Sequence, residues 1–355
     1  MDLVKPERIS IMAKRDIIVV GASAGGIEAL NGLIRSLSKD FQGAIFVVVH
    51  IPGDSPSSLP AILTRAGSLK AVHPQDGDMV KPGMIYVAPP DHHMLLEGKT
   101  VLIKKGPKEN RFRPSIDALF RSAAYTYRER VVGIVLSGML NDGTSGLWSV
   151  KRLGGLGIIQ SPDDAQCDSM PINAMEYVKA DYTLPASEIG TLLSDLIYVK
   201  ARKARKISNK EKALMKMEVI IAKQDGAFEM GIMDMGQLTP FTCPECHGVL
   251  VQLMDSNIVR FRCHTGHAFT ASALLSEVTA SVEEKMWQAM RGLEETTMLL
   301  KKIGKHFKDQ GHPGLAKVFI TKSKMTADKA QIIHDSVFTH ELLSEDIRHK
   351  EKKSN

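Results

Sequence analysis

Residues 16–26 read DIIVVGASAGG, a short apolar run that ends in small residues around Ser23. Its consecutive β-prone side chains predict a buried central strand of a parallel sheet, and residues 26–30 predict the start of an amphipathic helix. This arrangement places the Ser23 hydroxyl at the carboxyl end of a strand, where α/β proteins carry their chemistry. Gly21 and Gly25 give the G-x-S-x-G spacing of a nucleophile elbow, in which residues without bulk let a tight turn expose the serine oxygen.

A dinucleotide-binding loop is the alternative interpretation of the same stretch. Gly21 and Gly26 match two glycines of G-x-G-x-x-G, but Ser23 occupies the position that must let the backbone approach a pyrophosphate. The next apolar run, residues 44–49, is followed by His50 rather than by the acidic residue that would bind a ribose. The stretch therefore favours a serine nucleophile over a nucleotide site.

Length and composition indicate a globular protein of about two domains. The chain has 355 residues, of which 43% are hydrophobic, and a formal net charge of +6. No apolar run approaches the ~20 residues that cross a bilayer, and the start of the chain lacks a hydrophobic signal region, so we expect a cytoplasmic protein without membrane insertion. Basic residues concentrate in 200–212 and 348–353 without aromatic side chains among them, which predicts solvated segments and no nucleic-acid binding.

Short β-rich runs alternate with helical stretches up to about residue 198. This alternation predicts an α/β fold with a doubly wound, mostly parallel sheet covered by helices. The runs at 84–88 and 100–104 lie close together in the chain, so we expect them to pair as a hairpin at the edge of the sheet. The predicted strands are residues 16–21, 44–50, 84–88, 100–104, 131–138, 157–160 and 182–184.

A serine nucleophile needs a base, and the base needs an orienting carboxylate. His50 comes directly after the run 44–49, and Asp142 lies in the loop after the run 131–138. Because the carboxyl ends of parallel strands meet in one crevice, we expect Ser23, His50 and Asp142 to converge there. Taken singly, His50 also suits a structural or capping histidine, and Asp142 suits the N-cap of the next helix. The chain order Ser, His, Asp differs from that of α/β-hydrolases, which predicts a differently connected sheet.

The sequence resembles the catalytic domain of the bacterial chemotaxis methylesterase family CheB over residues 16–197. This resemblance implies Ser23 as the nucleophile, His50 as the general base and Asp142 as the residue that orients the histidine. It also implies that backbone amides at His50 and Met139 form the oxyanion hole. The motifs that carry the resemblance are GASAGG at 21–26, VVVHIP at 47–52, DGD at 76–78, YVAPP at 86–90, RPSID at 113–117 and SGMLNDG at 137–143.

The resemblance further implies an activity. The family hydrolyses γ-glutamyl methyl esters on the cytoplasmic helices of chemoreceptors, which releases methanol, and many members also deamidate receptor glutamines. We therefore expect a protein-glutamate methylesterase that acts on methylated chemoreceptor helices and needs no cofactor for catalysis. A non-catalytic adaptor of the same fold and an esterase for a different substrate are the alternatives.

Three features depart from the family pattern. Ala24 follows the candidate nucleophile where many members have threonine, and Ile172 stands where the family usually has arginine. If that arginine engages acidic receptor helices, substrate binding differs here. The first predicted strand begins at residue 16, so we expect a stand-alone form without the family's amino-terminal receiver domain and without control by its phosphorylation.

Three of the four cysteines lie close together beyond the esterase-like part. Cys243 and Cys246 form a C-x2-C pair, and Cys263 and His267 form a C-x3-H pair. Thiolates and imidazole at these separations can close a tetrahedron around zinc. We expect a structural zinc, because protein side chains fill every ligand position. His247 and His264 are rival ligands.

The segment between the two ligand pairs predicts the scaffold of a zinc ribbon. Residues 249–254 and 257–262 are β-rich, and Asp255 and Ser256 between them predict a turn. The pair of strands would hold the two ligand knuckles side by side.

A helical hairpin is predicted after the cysteine cluster. Apolar residues recur at spacings of four and three between Val282 and Ile303, which marks one face of a long helix. Residues 311–314 interrupt the pattern, and residues 315–337 predict a return helix. We expect this face to pack as a core and the hairpin to contact signalling partners, with an oligomer seam as the alternative. The predicted parts are a CheB-like methylesterase domain at 14–198, a basic helix and linker at 199–240, a zinc-ribbon-like knuckle at 241–272 and an α-helical hairpin at 273–350.

Overall fold

The structure, a computed structural model, describes two compact units. The first ends at Ala273 and the second begins at Leu274. Within the described part of the chain, no helix is long and apolar enough to cross a membrane. The described residues are 14–51, 57–201, 206–224, 227–253, 258–341 and 343.

A seven-stranded, fully parallel sheet forms the centre of the first unit, as the alternating runs predict. The first nine strands are β1 (Ile17–Ala22), β2 (Ala44–Val49), β3 (Lys70–Val72), β4 (Met84–Val87), β5 (His93–Glu97), β6 (Thr100–Lys104), β7 (Val131–Val135), β8 (Leu156–Gln160) and β9 (Tyr182–Leu184). The order across the sheet is β3-β4-β2-β1-β7-β8-β9. Every residue of β1, β2 and β7 is buried, which explains why these strands are continuous apolar runs.

Helices cover both faces of this sheet. One buried cluster joins the sheet to α1, α2 and α6, and the other joins it to α3, α4, α5 and α7. Within β1, Ile18 and Val20 belong to the first cluster and Ile17 and Val19 to the second, because successive side chains of a strand point to opposite faces. The helices are α1 (Gly26–Arg35), α2 (Leu59–Ala66), α3 (Ile116–Tyr127), α4 (Thr144–Arg152), α5 (Ser169–Tyr177), α6 (Ala186–Leu196) and α7 (Asn209–Lys223).

The predicted hairpin between residues 84–88 and 100–104 was wrong. β4 pairs parallel with β2 and β3 inside the main sheet, whereas β6 pairs antiparallel with β5. The sequence analysis does not identify β5, whose HMLLE sequence contains no β-branched residue and so gives a weak strand signal. With β5 unrecognised, β4 was the nearest apparent partner in the chain.

The segment predicted as a basic helix and linker contains a helix that is packed on one side. Ser208 caps α7 through a reciprocal capping box with Glu211. Leu214 and Met215 are buried, whereas described lysines such as Lys212 are exposed. The helix α7 is therefore amphipathic, with a charged exposed face and an apolar packed face.

A four-stranded antiparallel sheet follows α7 and carries the cysteine cluster. Its strands are β10 (Gly236–Thr242), β11 (Val249–Leu253), β12 (Arg260–Cys263) and β13 (Ala268–Thr270), in that order across the sheet. β11 pairs antiparallel with β12, which confirms the predicted strand pairing, while the predicted turn at Asp255 and Ser256 lies outside the described residues. We call residues 236–270 the Cys/His module.

Five charged side chains are buried together where the Cys/His module packs on α3 and α7. Glu109, Glu218, Arg121, Arg260 and Arg262 are all less than one-tenth exposed. Arg262 donates to Glu109 Oε1 at 2.8 Å and to Glu218 Oε1 at 3.1 Å. Burial by itself would raise the pKa of Glu218, but the three arginines outweigh it and hold that pKa below its ordinary value. The cluster therefore ties β12 to both helices through ionised groups.

Replacing Arg262 should destabilise the first unit strongly. Arg262→Met leaves Glu109 and Glu218 buried with one cation fewer, so we expect the free energy of unfolding to fall by about 3 to 5 kcal/mol. Lys104→Met is a control that removes the partly exposed ion pair with Asp76, and it should cost at most about 1 kcal/mol. Urea unfolding followed by circular dichroism compares the variants, and equal losses would contradict the structural role of the cluster.

Two long antiparallel helices form most of the second unit, which confirms the predicted hairpin. They are α8 (Ala271–Asp309) and α9 (Pro313–Phe338). Phe307 stacks on Phe319, and Ser323 Oγ donates to the Thr297 carbonyl at 3.0 Å. The side chain of Val282 remains 41% exposed, so the hairpin alone does not bury the predicted apolar face. Contact of this hairpin with signalling partners stays a prediction.

Candidate active site

Ser23 lies directly after β1, in the tight turn that leads into α1. Gly25 in this turn has φ +72°, a conformation that favours glycine. A Cβ atom at Gly25 would also lie 2.6 Å from Gln166 Cβ and 2.8 Å from Ser137 Oγ. The Ser23 N–H donates to the Ser137 carbonyl at 2.9 Å, which fixes the turn against the end of β7. The small residues around Ser23 are therefore needed for the turn that presents it.

His50 and Asp142 lie beside Ser23. His50 Nδ1 is 3.2 Å from Ser23 Oγ, and His50 Nε2 is 2.9 Å from Asp142 Oδ2. His50 follows β2 and Asp142 follows β7, and these strands flank β1, so the strand order brings the three side chains together. An Nε2–H that donates to Asp142 leaves Nδ1 free to accept the Ser23 proton, which is the arrangement that activates a serine.

Asp142 accepts hydrogen bonds at the N-terminus of α3. The Ile116 N–H donates to Oδ2 at 2.7 Å, while Asn110 Nδ2 and Ser115 Oγ donate to Oδ1 at 2.9 and 3.1 Å. Burial by itself would raise the pKa of Asp142, but the hydrogen bonds from His50, Asn110 and Ile116 outweigh it and lower that pKa. The positive end of the helix dipole also favours the ionised form. The site thus holds a charged carboxylate against the histidine.

Asp117 shares the Asn110 amide with Asp142 but has the opposite protonation behaviour. Asn110 Nδ2 donates to Asp117 Oδ2 at 2.9 Å, and Asp117 Oδ1 accepts from the Gly143 and Gly146 amides. Burial, together with the charge of Asp142, raises the pKa of Asp117 to about 8. Two neighbouring carboxyl groups are therefore kept in different charge states, one neutral and one ionised near pH 7.

Three side chains hold the site in place, and the sequence analysis assigned this role to none of them. Phe112 stacks on His50 with ring centroids 3.5 Å apart and an angle of 6° between the rings, which fixes the imidazole plane. Asn110 holds Asp142 from a loop distant from it in the chain. A signal for the third, Ser115, was present, because a serine ahead of an apolar run is a helix N-cap and marks backbone amides that can receive a carboxylate.

The predicted oxyanion-hole amides differ in their surroundings. The His50 N–H donates to the Ala22 carbonyl at 3.3 Å, so its use as an oxyanion donor requires this sheet bond to be given up. Met139 lies in the exposed loop after β7, beyond Gly138, whose N–H donates to the Cys167 carbonyl at 2.9 Å. The role of both amides stays a prediction.

Ser23 and His50 line a groove of about 1200 Å³. Its charged lining contains more basic than acidic side chains, and some of the charges are paired: Arg113 donates to Asp91 at 2.6 Å, and Lys108 to Glu245 at 3.0 Å. The basic lining residues are Arg35, Lys108, Arg111 and Arg113, and the acidic ones are Glu28 and Asp91.

The predicted metal ligands come together in the Cys/His module. The ligand atoms of Cys243, Cys246, Cys263 and His267 all lie within 4.8 Å of one another. Cys246 Sγ is 3.7 Å from Cys263 Sγ, and Cys263 Sγ is 3.6 Å from His267 Nδ1. Ordinary Zn–S and Zn–N bonds give a tetrahedron with S–S edges of about 3.8 Å and S–N edges of about 3.6 Å, so the four side chains fit zinc.

The two rival histidines do not join the group of ligand atoms found among the described residues. His247 continues the first knuckle, where its N–H donates to the Cys243 carbonyl at 2.8 Å. The ring of His264 lies against Gly248. His267 is therefore the histidine whose ring nitrogen lies next to the three sulfur atoms.

Comparisons with known proteins agree with the fold. A family model for CheB methylesterase matches residues 18–193. A relative in Leptospira interrogans, named "Putative protein-glutamate methylesterase/protein-glutamine glutaminase", is 37% identical over 178 residues, which are 50% of this chain and 92% of that protein. The chain belongs to the CheB methylesterase family. This membership confirms the resemblance found in the sequence.

Two further similarities cover the same half of the chain. The protein-glutamate methylesterase/protein-glutamine glutaminase of Thermotoga maritima is 35% identical over 185 residues, which are 51% of this chain and 54% of that protein. A crystal structure of the Thermotoga maritima CheB methylesterase catalytic domain matches with a TM-score of 0.50 and 34% identity, and covers 53% of this chain and 100% of that one. The family match contains Ser23, His50 and Asp142, while the Cys/His module lies outside it.

The charge of Asp142 should matter far more than that of Asp117. Asp142→Asn keeps the shape but removes the carboxylate that holds the histidine, so we expect Ser23 to react about 10⁴ times more slowly. Asp117→Asn should lose far less, because that carboxyl is already largely uncharged near pH 7. The rate of covalent labelling of Ser23 by a fluorophosphonate, followed by mass spectrometry at pH 7, measures both. Equal losses would contradict the assignment of Asp142 as the orienting residue.

Proposed function

We propose that the protein is a protein-glutamate methylesterase that hydrolyses γ-glutamyl methyl esters on the cytoplasmic helices of chemoreceptors. Ser23 is the nucleophile, His50 the general base and Asp142 the residue that orients it. The observation that carries the proposal is the hydrogen-bonded series from Ser23 Oγ through His50 to Asp142, with distances of 3.2 and 2.9 Å. Relatives named protein-glutamate methylesterase/protein-glutamine glutaminase support the same chemistry.

The reaction follows from the positions of the three side chains. His50 Nδ1 takes the proton of Ser23 Oγ as the oxygen attacks the ester carbonyl carbon, and the Asp142 carboxylate stabilises the imidazolium that forms. The imidazolium then gives its proton to the departing methoxide, so methanol leaves and an acyl-enzyme remains. Water attacks this acyl-enzyme with His50 again as base, which releases glutamate and restores Ser23. A glutamine side chain would enter the same cycle with ammonia as the leaving group, which gives deamidation.

The groove suits a substrate on an acidic helix. Basic side chains along it, including Arg35, provide a positive field that would attract carboxylates next to the ester. A substrate on the cytoplasmic part of a receptor would place the protein in the cytoplasm.

Methanol release tests the activity directly. Methylated cytoplasmic fragments of chemoreceptors are incubated with the wild type and with Ser23→Ala, and we expect methanol from the wild type alone, because the variant lacks the hydroxyl that attacks the ester. A parallel reaction on fragments with glutamine at the same sites, read as ammonia, tests deamidation. Wild type that labels with fluorophosphonate at Ser23 but releases no methanol would contradict the substrate and keep the nucleophile. Equal release by Ser23→Ala would contradict both.

We also propose that Cys243, Cys246, Cys263 and His267 hold a structural zinc ion. The distances between their ligand atoms support this. Zinc in this position would supply cross-links to a small sheet with a limited core. All four ligands come from the protein, so the site is structural rather than hydrolytic.

Loss of a ligand should remove the metal and loosen the Cys/His module. The wild type should contain about one zinc ion per chain, and Cys246→Ser should contain less. Structural zinc binding is worth on the order of 10 kcal/mol, and the variant lacks one of the four ligands that provide it. Cys167→Ser is the matched control, since Cys167 lies outside the ligand group. Elemental analysis measures the zinc, and hydrogen exchange of residues 243–270 measures the folding of the module. Equal zinc contents in the two variants would refute the proposed site.

A further inference from the structure

The last strand of the Cys/His module lies beside residues 108–110, the loop whose Asn110 side chain donates to Asp142. The Asn110 N–H donates to the Ala268 carbonyl at 2.7 Å, and the Ala268 N–H donates to the Lys108 carbonyl at 3.2 Å. β13 thus lies along residues 108–110 as an additional pairing segment. The backbone of the module and the backbone of the loop are joined next to the candidate active site.

Thr270, at the end of β13, makes two hydrogen bonds to residues that support Asp142. Its N–H donates to Asn110 Oδ1 at 2.9 Å, and its Oγ1 donates to Asn141 Oδ1 at 2.6 Å. Thr270 is 2% exposed, and Asn110 and Asn141 are each 4% exposed. Water therefore cannot readily replace either bond.

The first bond orients an amide. Asn110 must present Nδ2 to the Asp142 carboxylate, because an amide turned the other way would bring its oxygen against an ionised acceptor. The Thr270 N–H gives Asn110 Oδ1 a donor on the opposite side, so it stabilises the orientation that the Asp142 carboxylate requires. The second bond holds Asn141, which directly precedes Asp142 in the chain.

The position of Thr270 depends on the folding of the ligand knuckle. Thr270 lies three residues after His267, and the knuckle between Cys263 and His267 is closed by a bond from the Cys263 N–H to the His267 carbonyl at 3.0 Å. A Cβ atom at Gly266 would lie 2.7 Å from Ile221 Cγ2, so the knuckle is packed closely on α7. β13 is fixed by this packing on one side and by the loop at residues 108–110 on the other.

We propose that Thr270 is a positioning residue for Asp142, through which the folded Cys/His module controls the reactivity of Ser23. The inference rests on the proposed function for the roles of Ser23 and Asp142. It goes beyond that function because Thr270 lies outside the part of the chain that matches the family. Control of the active site would thus come from the carboxyl-terminal side of the catalytic domain.

Three variants of the full chain test the role of the Thr270 hydroxyl. Thr270→Val keeps the shape and the N–H but leaves Asn141 Oδ1 without its donor and the Ala273 N–H, in the first turn of α8, without its acceptor. We expect the fluorophosphonate labelling of Ser23 to slow about tenfold, which is less than the ~10²-fold loss expected when a reacting group is misplaced by a full ångström. Thr270→Ser restores the hydroxyl and should label close to the wild-type rate. Thr239→Val is the matched control in the same module, where it removes a bond to the Leu250 carbonyl, and it should also label close to the wild-type rate.

A double-mutant cycle separates positioning from general loss of structure. In the Asp142→Asn background, Thr270→Val should slow labelling no further, because the residue it acts through has lost its charge. The same slowing in both backgrounds, or a wild-type rate for Thr270→Val alone, would overturn the inference while leaving the proposed function intact. A wild type that does not label at Ser23 would overturn both. If Thr270→Val is unfolded by circular dichroism, Asn141→Ala removes the other end of the same bond and enters the same cycle.

Discussion

The buried carboxylate of Asp142 needs hydrogen-bond donors, and several elements of the first unit supply them. A charged group that is 1% exposed must be met by donors, and five of them meet Asp142: a histidine, an asparagine, a serine and two backbone amides. These donors come from the end of β2, from the loop before α3 and from the first turn of α3. The carboxylate itself comes from the loop after β7. The fold around the candidate site is therefore organised by one anion that several elements must reach at once.

The strands that carry the three candidate catalytic residues were predicted well because their physical signal is local. β1, β2 and β7 are buried on both faces, so each is an unbroken apolar run with a polar residue soon after it, and the rule that parallel strands end at one edge then places Ser23, His50 and Asp142 together. β3 and β5 are short or lack β-branched residues, and their pairing depends on neighbours elsewhere in the chain. The incorrect prediction of a hairpin between β4 and β6 arose because the weak strand signal of β5, the true partner of β6, was missed.

The residues that hold the site could not be found in this way, because their importance comes from contacts between distant segments. Nothing near Phe112 in the sequence indicates that its ring lies on His50, and nothing near Thr270 indicates Asn141. The candidate metal ligands lie between these extremes. Spacing alone identified the three cysteines, whereas the choice of His267 over His247 and His264 needed the folded positions of the ring nitrogens.

The buried charge cluster separates two boundaries that are often assumed to coincide. The match to the family model ends at residue 193, but the compact unit continues to Ala273, and Glu109 inside the matched region is paired with Arg121 inside it and with Arg262 outside it. A buried carboxylate with one cation on each side of this boundary links the stability of the matched half to that of the segment that follows it. Removal of that segment would take away one of the two cations and leave Glu109 with Arg121 alone. What resembles an independent catalytic domain in sequence is thus, in this chain, one portion of a larger folding unit.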